Sequence, residues 1–207
     1  VNNNGNVTFD ASLWTYTPFD LNSTNRVIIA PFFGDVDTRI GNVVSYGQGT
    51  VSGRPAFGVN WPDVGCYSTI TSVLNNFQVV LIDRSDIGPG DFDIEFNIAQ
   101  VQWETGRASG GSSQCQGGSS ARVGYSNGSG ISFELPASGV PGSFLDSNLA
   151  TGLVHNSRNS LQNGRYAFEV RNGVAPVGGT ISGHVLEDPG LGPIGGALVQ
   201  VCDSSGF

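Results

Sequence analysis

The residues able to do chemistry are few, and most are acidic. Asp35, Asp37 and Arg39 alternate behind the apolar run Ile28-Ile29-Ala30-Pro31-Phe32-Phe33, so an extended backbone would carry all three side chains on one face. Two carboxylates sharing a strand face can contribute to a Ca²⁺ site, an ion that takes six or more oxygen ligands. A structural reading competes and is favoured: Arg39 offers an ion-pair partner, and nearby turns offer N–H donors. Asp86, Asp91 and Asp93 make a second acidic set around the turn Gly88-Pro89-Gly90. That set lacks the Asp-x-Asp-x-Asp-Gly run and distal Glu of an EF-hand loop, so a solvated hairpin is expected, with calcium the alternative.

Catalysis finds little support. His155 and His184 are the only histidines, and neither a Gly-x-Ser-x-Gly elbow nor a His-Glu-x-x-His run occurs. A glycosidase needs only two carboxylates, but nothing marks a clustered, buried acid pair. The expectation is a protein that is not an enzyme. Trp14, Trp61 and Trp103 could stack on sugar rings. Core packing is expected for all three, with Trp61, just before Pro62-Asp63, the candidate for an exposed glycan-binding position. Asn6, Asn22 and Asn127 each begin an N-glycosylation sequon, a match expected by chance in a chain this rich in Asn and Ser.

Composition narrows the class further. All nine basic residues of the 207-residue chain are Arg, against 17 acidic ones, for a net charge of −8. That balance excludes nucleic acid as a partner and disfavours anionic membrane surfaces, which need clustered cations. No run of 18 apolar residues could span a bilayer. The chain starts at Val1 without a leader, which fits either a mature exported chain or a boundary within a longer one. Of the three cysteines, Cys66 and Cys115 lie in Gly/Ser-rich, loop-like surroundings and are the expected disulfide; Cys202 is left over, its partner expected downstream. Closing a loop of about 50 residues would stabilise the fold by roughly 4 kcal/mol.

The elements that must position these groups read as strands. No useful stretch repeats apolar residues at helical spacing, whereas short β-rich runs recur between turn signals. Val27 to Phe33, Asn42 to Tyr46, Ala56 to Trp61 and Phe77 to Ile82 are such runs. Phe92 to Ile98 alternates strictly, with Phe92, Ile94, Phe96 and Ile98 on one face, and Ala99 to Trp103 continues it after an irregularity. Ala121 to Tyr125 and Ile131 to Leu135 flank the hairpin signal Asn127-Gly128, and Tyr166 to Val170 follows. One short helix is expected near Asp146 to Val154. The fold class is therefore mainly β, an antiparallel sandwich or curled sheet with long Gly/Ser-rich loops. One β domain should occupy residues 1–172, a linker 173–179, and a C-terminal β-hairpin or incomplete module 180–207.

Four ordered segments carry a family resemblance. Ile29-Ala30-Pro31-Phe32-Phe33-Gly34-Asp35-Val36-Asp37-Thr38-Arg39 is similar to the signature of nidogen-type extracellular domains, which often hold Trp where Phe33 stands and Ala where Gly34 stands. Asn75 to Leu81, then Val101 to Gly106 with Ala108-Ser109-Gly110-Gly111, resemble the middle of that domain. Ala121 to Tyr125, Phe133 to Pro136 and Gly164 to Val170 resemble its end. The resemblance implies a secreted or cell-surface adhesion and matrix module without established catalysis. Ile181 to Val185 with Pro193 to Val201 is similar instead to the opening strands of a carboxypeptidase-regulatory-like or B-type Ig module of surface proteins.

The leading expectation is thus an extracellular adhesion or matrix module within a larger assembly, whose partners are other extracellular proteins. The alternatives are a fibre subunit that binds copies of itself by strand addition, with the polar ends Asn2 to Asn6 and Ser204 to Phe207 as candidate contacts, or a carbohydrate-binding module for glycans.

Overall fold

Strand character follows from alternation in β7 (Phe92–Val101), where Ile94, Phe96 and Ile98 are buried while Asp93, Glu95 and Asn97 face outward. This computed structural model describes residues 1–39 and 42–172. The expected linker, the C-terminal hairpin, Cys202 and His184 lie outside the described residues. The other strands are β1 (Val7–Thr8), β2 (Val27–Phe33), β3 (Val36–Asp37), β4 (Ser45–Val51), β5 (Arg54–Cys66), β6 (Ile70–Asp83), β8 (Arg122–Asn127), β9 (Ser132–Glu134) and β10 (Arg165–Val170).

They form two antiparallel sheets. One runs β1-β2-β8-β9; the other runs β10-β7-β6-β5-β3, with β4 paired to the remainder of β5. The expected irregularity is a bulge at Ala99: Phe77 faces Ile98 but Asn76 faces Gln100. The sheets meet through aromatic rings. Phe32 of β2 touches Phe77 of β6 at 5.3 Å, and Phe168 of β10 meets Tyr125 of β8 at 5.3 Å and Phe133 of β9 at 5.5 Å. The guanidinium of Arg158 lies 4.5 Å from the Phe133 ring centre and closes this cluster at one end.

β2 is buried on both faces, which explains its unbroken apolar run. Phe32 and Ile29 enter the main core, whereas Ile28, Ala30 and Phe33 pack with Leu21 beneath the segment carrying Leu13 and Phe19. The first residues are built into this sandwich. Trp61 Nε1 donates to the Asn3 carbonyl at 3.0 Å and Val36 N–H to Asn4 Oδ1 at 3.1 Å, while Gly5, at φ +74°, lies so close to the Phe32 carbonyl that a Cβ has no room. The candidate contact segment Asn2 to Asn6 thus finds partners within its own domain.

The expected helix near Asp146 to Val154 is also corrected. It is a run of turns ending in a 3-10 turn, Leu153–His155. Asn148 Oδ1 accepts from the N–H groups of Ala150 and Thr151, both at 3.1 Å, giving the backbone a local partner that competes with helix formation.

Candidate functional site

The signature segment leaves β2 at Phe33 and re-enters a sheet as β3, where Val36 pairs with Cys66. Cys66 is bonded to Cys115, 49 residues on, with the two Cα atoms 6.5 Å apart. The bridge ties β5 to the Gly/Ser-rich loop, as expected, and fixes that loop against the acidic residues. Asp35 is buried there. Its Oδ2 accepts the N–H of Ala108 at 3.1 Å, and its carbonyl accepts the N–H of Tyr67 at 2.9 Å. Burial, with the neighbouring Asp37 charge adding to it, pushes the Asp35 carboxyl up to about 6.

Asp37 is buried too but behaves oppositely. Arg39 donates to it from Nε at 2.9 Å and from Nη2 at 2.5 Å, and Thr69 N–H donates at 2.7 Å. Hydrogen bonding from Arg39 is the main reason its carboxyl is held down to about 2. Arg39 in turn lies 4.9 Å from the Tyr67 ring centre. Both oxygens of Asp37 are thus committed to donors of the chain itself.

The second acidic set is separate and is laced by arginines. Asp86 accepts from Arg54 at 3.1 Å and from Arg84 at 3.0 Å, contacts that hold its carboxyl down to about 2. Asp93 bridges Arg84 at 2.8 Å and Arg171 at 2.6 Å, and buried Asp91 accepts the N–H of Asn172 at 2.8 Å. Among the described residues no group of three or more His, Cys, Asp or Glu is placed to hold a metal ion.

Glu104, for which the sequence suggested no role, is the most enclosed acid among the described residues. Fully buried, it accepts the N–H of Phe144 at 2.7 Å and of Gly142 at 2.5 Å, so it pins the 140s turns to the disulfide loop. Burial raises its carboxyl above the ordinary range. The available signal was a lone acid entering a Gly/Ser-rich stretch in which Arg107 is the one other charge. His155 is likewise engaged, its Nε2 lying 2.7 Å from the Asp146 carbonyl.

Trp61 packs in the core, as expected for all three tryptophans, which removes it as the exposed glycan-binding candidate; Trp14 is the one that departs from the expectation. Trp61 is 0% exposed and stacks on Phe77 at 5.0 Å, whereas Trp14 is 91% exposed. Pro62-Asp63 did not lift Trp61 out of the sheet, because β5 continues through them to Cys66 with shifted register. Trp103 is buried as expected, its Nε1 donating to the Val64 carbonyl at 3.0 Å.

The sequence profile of the nidogen-like domain matches residues 1–54 and 47–172, which includes every strand described above. The chain belongs to the nidogen-like domain family. The match ends at residue 172 and gives no support to an Ig-like module beyond it. Alpha-tectorin of Gallus gallus is 34% identical over 168 residues, human alpha-tectorin 32% over 166, and the mouse protein 33% over 166, each alignment covering 68% of this chain. The chain spans 8% of the length of these curated relatives. No solved structure matches. In this nidogen-like domain, then, the signature acids serve as clamps between β3, the segment after β5 and the disulfide loop.

Proposed function

We propose that this nidogen-like domain is a non-catalytic, extracellular matrix module that joins other secreted proteins in a larger assembly. Its membership of the nidogen-like family, shared with alpha-tectorin, is the observation that carries the reading. The fate of the reactive groups supports it. Glu104, Asp35 and Asp37 are each committed to backbone N–H groups or to Arg39, and His155 faces a carbonyl, which leaves no poised acid–base pair among them. The disulfide fits an oxidising, extracellular compartment. No helix among the described residues is long and apolar enough to cross a membrane.

Secretion of the chain from cultured cells tests the reading. Partition into the detergent-insoluble matrix is expected, and full recovery from the medium would overturn it. A second reading, a fibre subunit that binds copies of itself by strand addition, is favoured by one observation: the long, exposed edge of β4. The glycan-binding reading has lost the residue named for it, since Trp61 is in the core.

A further inference from the structure

We propose that the outer edge of β4 is a homotypic docking edge, where two copies of this chain pair β4 to β4 in antiparallel fashion and join their larger sheets. The hairpin dictates which groups are free. β4 turns into β5 through Ser52 and Gly53, at φ 49° and 79°, a two-residue turn of the type I′ kind. Val51 and Arg54 therefore close the hairpin as a hydrogen-bonded pair. Counting back, Gly49, Gly47 and Ser45 direct their peptide groups to β5, while Thr50, Gln48 and Tyr46 direct theirs away from it. Among the described residues, no strand lies on that side.

Sheet proteins ordinarily guard such an edge with charge, proline, a bulge or extreme shortness. β4 uses none of these. Its seven residues pair with β5 in unbroken register, and Ser45 to Gly53 contains neither a charged residue nor Pro.

Three features select a second copy as the occupant. A two-fold axis at Gln48 sets Gln48 against its own counterpart and Tyr46 against Thr50, forming about six backbone hydrogen bonds, two for each facing pair. Charge agrees: copies of a chain with net charge −8 repel generally, and this edge brings only neutral side chains together. The third is an uncovered ring. Tyr46 is 68% exposed although it lies 6.1 Å from Phe57, on the sheet face that carries core residue Val59. A partner strand would extend that face and cover it.

The inference rests on the matrix reading for its purpose, though not for the contact itself. The test is sedimentation velocity of the full chain, carrying Cys202→Ser to exclude thiol-linked dimers, at concentrations rising to millimolar. A concentration-dependent dimer is expected. Gln48→Lys places like charges opposite each other and should weaken it by roughly tenfold or more. Gln48→Pro removes the outward N–H, leaves pairing with β5 possible, and should act likewise. Thermal melts close to the parent chain's confirm that both variants fold. A parent that stays monomeric at the highest concentration overturns the proposal, as do folded variants that dimerise like the parent. Matrix retention of a strictly monomeric chain would keep the functional reading and remove this one.

Discussion

Asp35 and Ala108 are joined by a 3.1 Å hydrogen bond that fastens the signature segment to the loop closed by Cys115. The same carboxylate sits two residues from Asp37, and the pair titrates in opposite senses. Asp35 is raised from 3.8 to about 6, so between those values the folded chain keeps a proton that the unfolded chain has released. Its contribution to stability is present below the lower value and is lost as pH rises through the upper one, an effect on the order of 2 kcal/mol for this buried group. Asp35→Asn should flatten the melting temperature across that window and melt above the parent at neutral pH. An unchanged slope would contradict the assignment.

Asp37 has the reverse sign. Its carboxyl is lowered from 3.8 to about 2, so its contribution is complete above the first value and is lost as pH falls through the second. Asp37→Asn should shallow the acid limb of the melting curve; a limb of unchanged steepness would count against the Arg39 clamp.

The Cys66–Cys115 bridge constrains a long loop of the unfolded chain. Cys66→Ala with Cys115→Ala should cost roughly 4 kcal/mol in denaturant unfolding. A loss below about 1 kcal/mol would mean that hydrogen bonds such as those to Glu104 and Asp35 hold the loop alone.

Two tryptophans test the packing directly. Trp61→Ala should cost about 3–5 kcal/mol, as for other large aromatic truncations in cores, and Trp14→Ala within about 0.5 kcal/mol. Iodide should quench Trp14 emission and spare Trp61 and Trp103, which are fully buried. Equal quenching of all three would contradict the core described here.

Added Ca²⁺ should leave the melt unmoved, because Arg54, Arg84 and Arg171 already occupy the oxygens of Asp86 and Asp93. A bound ion would raise apparent stability by mass action. A rise that Asp91→Asn abolishes would restore calcium to that turn.

What the sequence revealed depended on whether burial left a periodic trace. β7 was legible because only one of its faces is apolar, and β2 because both of its faces are buried. β4 was legible only at its first residues: Gly47 and Gly49 alternate with Gln48 and Thr50, so no apolar face marks it. The disulfide followed from cysteine surroundings. Long-range contacts did not follow: Glu104 finds its donors some 40 residues away, at Gly142 and Phe144, and no local pattern encodes that. Trp14, expected in the core, was misassigned and stands 91% exposed, whereas Trp61 holds the core place expected of it because the strand continues through Pro62.

The most direct test of the matrix reading is retention of the purified, oxidised chain by detergent-extracted extracellular matrix in physiological salt. The account predicts saturable retention, competed by unlabelled chain and lost when the Cys66–Cys115 bridge is reduced and the fold opened. Retention no greater than that of serum albumin would contradict it.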